Sequence, residues 1–528
     1  MKPIKKIVRS KCRGGAALII SMIFVLIFSS LAVSMACLSG NNVQIANNHH
    51  KFNSALSAAQ SALECGKYIV ANTPLPSTSI NIVTTEQANN AWNTLCARVQ
   101  TQPWVAGQAG QTENQIVTNA ISFGQAYTSF QVKFYRSDTY TIKLTGIGSD
   151  GQITKQVSIN MKITKNNEVL NYAIASRGRM WLTGDTTIHG NLFSSWDRAD
   201  ISPYNMTSDS RVEGNINTVL TLPQIEAHNY QLETLDANDM PVFDEQGNRI
   251  YSQQDEIQAY HEGINYEQPF DNMPGMSIDD YNTDEYNIGL TSIPSCPSSQ
   301  RVMEYFPHAA GNYSQPRDSS STSFTRHVYE DQTFTDALLP LNRHALFRNC
   351  TFEDVLYIDC SKTSTSKSYT NNIRFENCTF NGTIVTNVPR PFNWRNNCLY
   401  FTGEASFNNQ SAVQEATILA PHFNVNLGNT NPQQSDNNVL TGAIVGGIVD
   451  VRGNAQIYGT IISMFDTTPY SSGYVTNIGA TLDDGGSETT ELGDIGVIEI
   501  TPGEDKMLPS GVISPIVIKP LQNTYCES

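Results

Sequence analysis

Carboxylates standing beside cations are the first residues to test for chemistry. Glu353, Asp354 and Asp359 share the interval 343–359 with Arg343, His344 and Arg348. Glycoside hydrolysis needs two placed carboxylates, and a polysaccharide lyase needs a base plus a cation to hold an enolate-like charge. The residue types are there, but charge at this spacing is also what the outer side of a coil carries. No Asp pair or Gly-His-Gly arrangement of the β-solenoid glycosidases accompanies it. GxSxG, P-loop, HExxH and dinucleotide patterns are absent too. Metal chemistry has two candidate sources. Cys350, Cys378 and Cys398, with Cys360 nearby, are spaced by 28 and 20 residues, without the CxxC clusters of zinc sites. They read as small apolar residues of a ladder. The interval 225–290 carries fifteen acids and one base, Arg249, yet lacks the DxDxDG calcium loop. No catalytic residue, metal ligand or cofactor is expected.

One further chemistry would act on the chain itself. Lys2, Lys5, Lys6, Arg9, Lys11 and Arg13 place six positive charges before Gly14-Gly15, and no charged residue then occurs until Lys51. From Ala16 to Leu38 the chain is apolar apart from a few serines. At about 1.5 Å per residue, such a helix crosses a hydrocarbon core of about 30 Å. The basic cluster predicts a cytoplasmic N-terminus and everything after Leu38 outside. The run exceeds the apolar region of a cleavable secretory signal. A lipoprotein signal ending at Cys37 would have Ser34 where an aliphatic residue belongs, and a plain signal anchor leaves Gly14-Gly15 unexplained. Glycine at the junction lets a peptidase approach the backbone.

The string Arg13-Gly14-Gly15-Ala16-Ala17-Leu18-Ile19-Ile20-Ser21-Met22 resembles the start of PilX-type minor pilins. Ala58-Ala59-Gln60-Ser61-Ala62-Leu63 is similar to the AAxxAL phrase that closes their amphipathic helix. The resemblance covers about residues 1–70. It implies a non-enzymatic subunit, cut between Gly15 and Ala16 by a prepilin peptidase. The subunit would then be held in the inner membrane with its bulk in the periplasm or at the cell surface. Implied partners are other pilin or pseudopilin subunits of a type IV pilus or a type II secretion-like pseudopilus, and their assembly platform. Major pilins carry a Glu at the fifth mature position; here that position is Ile20, which points to a minor, tip-located subunit. The alternatives are a membrane-anchored lyase or glycosidase, and a surface protein that binds glycan through aromatics such as Trp181, Trp394 or Tyr400.

The elements that would position these features follow from periodicity. Residues 16–72 read as a transmembrane and then amphipathic helix, stopped by Thr73-Pro74-Leu75-Pro76. A second helix is expected over Glu86 to Val99. Outside the cytoplasm thiols oxidise, so Cys65 and Cys96 either form a disulfide pinning the two helices or remain two buried thiols. Alternation over Ser129–Tyr135, Thr139–Thr145 and Thr154–Ile163 predicts an antiparallel meander, within an α/β unit spanning 73–168. A helix on such a meander is the pilin architecture.

Repeats govern the region 169–468. Five segments share apolar-x-Gly-x-apolar, centred on Gly190, Gly214, Gly382, Gly442 and Gly459. Gly184-x3-Ile188-x-Gly190-x-Leu192 matches Gly453-x3-Ile457-x-Gly459-x-Ile461 over a longer span. Phe347-Arg-Asn349-Cys350-Thr-Phe352 recurs as Phe375-Glu-Asn377-Cys378-Thr-Phe380, with Asn396-Asn397-Cys398-Leu-Tyr400 as a weaker third copy. Repeats of this length predict a parallel, right-handed β-helix with ladders of Phe347 on Phe375, Asn349 on Asn377 and Cys350 on Cys378. The acidic, Tyr-rich insertion at about 225–300 reads as a solvated excursion along its flank, with a hairpin over Val242–Tyr251. Residues 469–528, with strands near Ile495–Ile500 and Val512–Ile518, read as capping or flanking it. The fold expected is mainly β behind one long N-terminal helix. Net charge is −16, and without the basic leader −22; so acidic a body excludes nucleic acid as a partner.

Overall fold

A computed structural model describes residue 14 to the C-terminus, except 105–109, 123–127, 200–201, 227–230, 234–250, 254–256, 258, 269–272, 275–280, 306–322, 361–370, 388–396, 404, 409–415, 429–439, 467–474, 480–494 and 504–506. The chain is mainly β behind a long N-terminal helix, and it divides into two compact units. The first comprises the N-terminal helix with the chain to Leu75, Thr84–Thr164 and Val517–Ser528; the second comprises Pro76–Val83 and Lys165–Ile516.

In the first unit, helix α1 runs unbroken over Gly14–Ala71. Pro74 and Pro76 follow, where neither could donate to a helical bond. Helix α2, Thr85–Gln100, starts with a capping box in which Thr84 Oγ1 accepts from Gln87 N and Thr84 N donates to Gln87 Oε1. Its apolar stripe, Ala88, Ala91, Trp92, Leu95, Cys96 and Val99, is buried. The meander is antiparallel through Thr128–Arg136, Thr141–Asp150 and Ile153–Lys165. Alternation sends Phe130, Val132, Phe134, Ile142, Leu144, Val157 and Met161 inward. Asp138 closes the first turn by accepting from Tyr140 N and Thr141 N, both at 2.8 Å.

The second half of α1 sits on this sheet through small residues. A Cβ at Gly146 would overlap Ala59 O, and one at Gly148 would overlap Ala55 O. Strand and helix backbones therefore meet where both sides lack bulk. Ala55, Ala59 and Ala62 are fully buried in that seam.

The second unit is a coiled stack. With few exceptions, its strands pair parallel with the strand one coil away. Phe347 lies opposite Phe375, Phe375 opposite Phe401, and Leu440 opposite Ile457. One exception is Arg301–Tyr305, which runs antiparallel to Ser323–Glu330. The path through the stack is not sequential. Tyr172–Ser176 enters in the middle, flanked by Asn191–Ser194 on one side and by the end of Gly453–Ser463 on the other. From there the chain winds outward through Asn215–Thr218 to Gly263–Asn265. It resumes at the opposite end, where Thr291–Ser292 pairs with Ala337–Leu338. It then winds back until Ile461–Ser463 meets Ile174–Ser176, Val475–Ile478 meets Arg179–Leu182, and Ile498–Ile500 meets Thr186–Ile188.

Two expectations are corrected here. The acidic insertion is not simply a solvated excursion. Ile257 and Ala259 join the core and Gly263–Asn265 adds a rung. Tyr281 packs, partly buried, against the outer side of the stack, its hydroxyl on Thr386 O and Leu419 O at 3.1 and 3.0 Å. The reason is that tyrosines and aliphatic residues lie among the acids and pack whichever side they cross. The hairpin expected over Val242–Tyr251 lies, but for Tyr251, outside the described residues; Gln231–Glu233 pairs with Tyr251–Gln253. Residues 469–528 also do not form one cap. Val475–Ile478 and Ile495–Thr501 are rungs, while Cys526–Glu527 pairs with Val157–Ser158 of the antiparallel sheet. Their apolar alternation lets each strand join a ladder, not only close an end.

Candidate functional site

The feature with the plainest physical demand is the first half of α1. Gly14 opens the helix, and a Cβ at Gly15 would meet nothing within 4 Å. Ala16 follows on the same uncovered stretch, so the junction expected to be processed lies at the start of an open helix. The leader up to Arg13 lies outside the described residues. Every residue from Gly15 to His50 is exposed, including Leu26 at 68% and Val43 at 65%. Burying a side chain such as Leu or Phe is worth about 1.5–3 kcal/mol, so a column of them left in water is strongly unfavourable. By length and composition this helix can cross a membrane. Cover begins at Ala55, where the alanine–glycine seam takes over. One helix thus carries two surfaces, one for an apolar surround and one for its own sheet.

Cys65 and Cys96 stand as free thiols, one of the two states the sequence leaves open. Burial keeps them protonated, pushing the Cys96 thiol up to about 11. Lys155 lies 4.4 Å over the Phe52 ring, close to where burial of α1 starts.

The ladder residues come together in the stack. Tyr329, Phe347, Phe375 and Phe401 form one column with ring centroids 5.0, 5.5 and 5.0 Å apart. Phe334, Phe352, Phe380 and Phe407 form a second, at 5.4, 5.2 and 4.9 Å. Between columns the rings meet edge to face, as for Phe375 and Phe380 at 5.1 Å and 82°. Asn349 and Asn377 hold the tight bend between columns with φ of +50° and +53°; Asp331 and Gly403 hold the same bend in the flanking coils. Asn349 Nδ2 donates to Asp331 Oδ1 at 3.1 Å. Cys350 and Cys378 follow these bends and point into the core.

The weaker third copy was misplaced. Cys398 lies opposite Asn372, not opposite Cys378, and the next aromatic pair is Phe401 and Phe407. Tyr329 and Phe334 went unrecognised. The signal was present as an aromatic residue five positions before Phe, with Thr between, in all three of Tyr329–Phe334, Phe347–Phe352 and Phe375–Phe380.

The charged interval 343–359 disperses into separate roles. Arg348 pairs with Glu330 and Glu376 at 3.1 and 3.0 Å, along the outer side of successive coils. Glu353 accepts from Asn381 Nδ2 at 2.8 Å, His344 Nδ1 accepts from Asn372 N at 2.9 Å, and Arg343 donates to Ser295 Oγ at 2.9 Å. Of the aromatics considered for glycan contact, Tyr400 is fully buried and Trp181 half-buried, while Trp394 lies outside the described residues. Among the described residues no group of three or more His, Cys, Asp or Glu is placed to hold a metal ion.

A different cluster was not anticipated. His189 Nδ1 lies 2.7 Å from Glu213 Oε2 and its Nε2 lies 2.8 Å from Glu499 Oε1. Burial alone would lower the imidazole pKa, but the two carboxylates outweigh it and raise it. The three residues lie on three successive coils where the two arms of the stack join.

No family model matches the chain, and no curated protein matches it. Among solved structures, it is similar to the competence-associated pilin ComZ from Thermus thermophilus, at 13% identity and a TM-score of 0.27, over 90% of this chain and 98% of that one. A TM-score so low carries no argument about fold or function.

Proposed function

We propose that this chain is a non-enzymatic minor pilin-like subunit of PilX type, anchored in the inner membrane by residues 16–38. The observation that carries the reading is α1. Its first half is apolar and uncovered, and its second half is seated on an antiparallel sheet by alanines against glycines. That division suits a subunit that leaves the membrane by packing its bare half among the helices of its neighbours. With Ile20 where major pilins carry Glu, the place that fits best is the tip of a type IV pilus or a type II secretion-like pseudopilus. The coiled stack is then a right-handed parallel β-helix, carried outside for assembly or for adhesion to a surface glycan or protein. Pilin or pseudopilin subunits, the assembly platform and a prepilin peptidase are the partners this requires.

The test is the N-terminal residue of the envelope-extracted protein, read by mass spectrometry. A start at Ala16 is expected. An intact leader, or a start near Ser39, would overturn the reading.

A further inference from the structure

Cys350 and Cys378 are equivalent residues of adjacent coils. The pairs that flank them, Arg348 with Glu376 and Thr351 with Thr379, are in parallel register. Thr379 N donates to Cys350 O at 2.9 Å, so the two coils are in direct contact at this bend. Neighbouring strands lie about 4.8 Å apart, within the roughly 4.4–6.8 Å between Cα atoms that a disulfide spans. Both side chains point the same way, into the stack, each 1% exposed, and they make equivalent contacts one coil apart: Cys350 Sγ donates to Tyr329 O and Cys378 Sγ to Phe347 O, both at 3.4 Å. The nearby cysteines are out of this register: Cys398 lies opposite Asn372, and Cys360 Sγ reaches Asn397 Oδ1 at 3.9 Å.

We propose that Cys350 and Cys378 are a modification site, joined as a disulfide that staples adjacent coils when the chain folds in an oxidising compartment. The compartment rests on the export reading above; the pairing rests on the geometry alone. The co-reactant is a thiol–disulfide oxidant, either a protein disulfide or glutathione disulfide. One thiolate attacks a sulfur of that disulfide and expels a thiol, leaving a mixed disulfide. The second cysteine, deprotonated, attacks the protein-side sulfur and expels the other thiol. Two cysteines lose two protons and two electrons, and one oxidant disulfide becomes two thiols. Solvent hardly reaches either sulfur in the finished stack. The exchange therefore belongs to folding, as the coil bearing Cys378 is laid on the one bearing Cys350. Once enclosed, the bond is shielded from reductant.

The closing experiment reads both proposals from one sample. Full-length protein is extracted from envelopes under denaturing conditions with an alkylating agent and without reductant, then digested and analysed by mass spectrometry. The expected result is a linked peptide pair containing Cys350 and Cys378, split by reductant, with Cys360 and Cys398 alkylated at once. Chains that begin at Ala16 but carry alkylated Cys350 and Cys378 would overturn the staple while export stands. Chains with an intact leader and free thiols would sink the export reading. The same full chain is then refolded in detergent with reduced and oxidised glutathione, where formation of the Cys350–Cys378 link supports the pairing and its absence overturns it. Linkage of either cysteine to a different one, or recovery of a metal ion bound to both, overturns it too. A stability readout guards against variants that merely fold poorly. For a bridge, C350S, C378S and the double variant share one loss in unfolding midpoint, roughly 5 °C or more, and reductant imposes it on wild type that has first been unfolded in its presence and refolded. For two packed thiols reductant leaves the wild-type midpoint unchanged.

Discussion

The seam between α1 and its sheet and the aromatic block of the coiled stack solve the same problem by opposite means. Each must hold two backbone elements in a single register. The seam does it by subtraction: Gly146 and Gly148 present no Cβ, and Ala55, Ala59 and Ala62 close onto the space left. The block does it by bulk: two columns of four aromatic rings, each stacked within its column and edge-on to the other. A subtractive contact has no slack, because backbone would have to move to admit any addition. A bulky contact fails by losing volume, and its neighbours can partly refill the gap. The two regions should therefore respond asymmetrically to change, one to enlargement and the other to truncation.

The largest expected effect is at the seam. Gly146→Val would drive its Cβ into Ala59 O and Leu63 N, both backbone atoms, and no rotamer moves a Cβ. Overpacking against backbone is expected to cost about 3 kcal/mol or more and to release α1 from the sheet. Hydrogen exchange over residues 55–70 should rise sharply while exchange in 345–385 stays unchanged. Gly40→Val is the control, since nothing stands within 4 Å there; a comparable stability loss from that change would break the subtractive account.

Truncation in the block should come next. Phe375→Ala removes a ring that stacks on Phe347 at 5.5 Å and Phe401 at 5.0 Å, and meets Phe352 and Phe380 edge-on. A loss of about 3–5 kcal/mol is the usual range for such a cavity. Phe334→Ala, at the column end and only partly buried, should cost clearly less. Denaturant midpoints for the two variants check the order; equal losses would mean that the columns do not act as stacked interiors.

How much of this was legible depended on whether the signal was local. The helix, its proline stop and the alternating meander follow from periods of 3.6 and 2 that any window displays. The Phe–Asn–Cys ladder was visible because the chain wrote it twice almost letter for letter. The flanking coils used Tyr329-Glu-Asp331-Gln-Thr-Phe334 and a bend at Gly403, which keep the shape but change the letters. The entry of the chain at mid-stack looks illegible, since pairing Ile174 with Ile461 depends on closing a path of nearly the whole unit. Yet a trace existed in the match between Gly184–Leu192 and Gly453–Ile461. Ile188 and Ile457 both lie opposite Ile500, and Leu192 and Ile461 both lie opposite Ile174. The likeness marks coils that flank the same neighbours, which a shared module by itself does not convey. For Cys65 and Cys96 the sequence leaves both states open, because compartment says that thiols can oxidise and not that two of them meet.

The smallest expected effect lies where neither subtraction nor bulk sets the register, at the junction of the two arms. Beneath His189 the aliphatic column of Ile188, Val212 and Ile500 is continuous, so the carboxylate–imidazole bridge adds to a joint already packed. Arg211 also donates to Glu213 at 2.8 Å, and Gln456 Nε2 lies 3.3 Å from Glu499 Oε2, so neither acid depends on the imidazole alone. The sign with pH is set by the raised imidazole pKa. A proton held more tightly when folded stabilises the joint fully below the unfolded histidine value, about 6.5. That contribution fades as pH rises through the higher folded value. Glu213, lowered by Arg211 first and His189 second, works in the other direction and loses its contribution only in acid. His189→Gln should therefore leave stability at pH 8 nearly unchanged and remove a small increment at pH 6, read as a difference in denaturant midpoint between the two pH values. The bridge is half open to solvent, so 1 M salt should shrink that difference. An increment that persists in salt would mean that the junction is held by charge in the way the seam is held by shape.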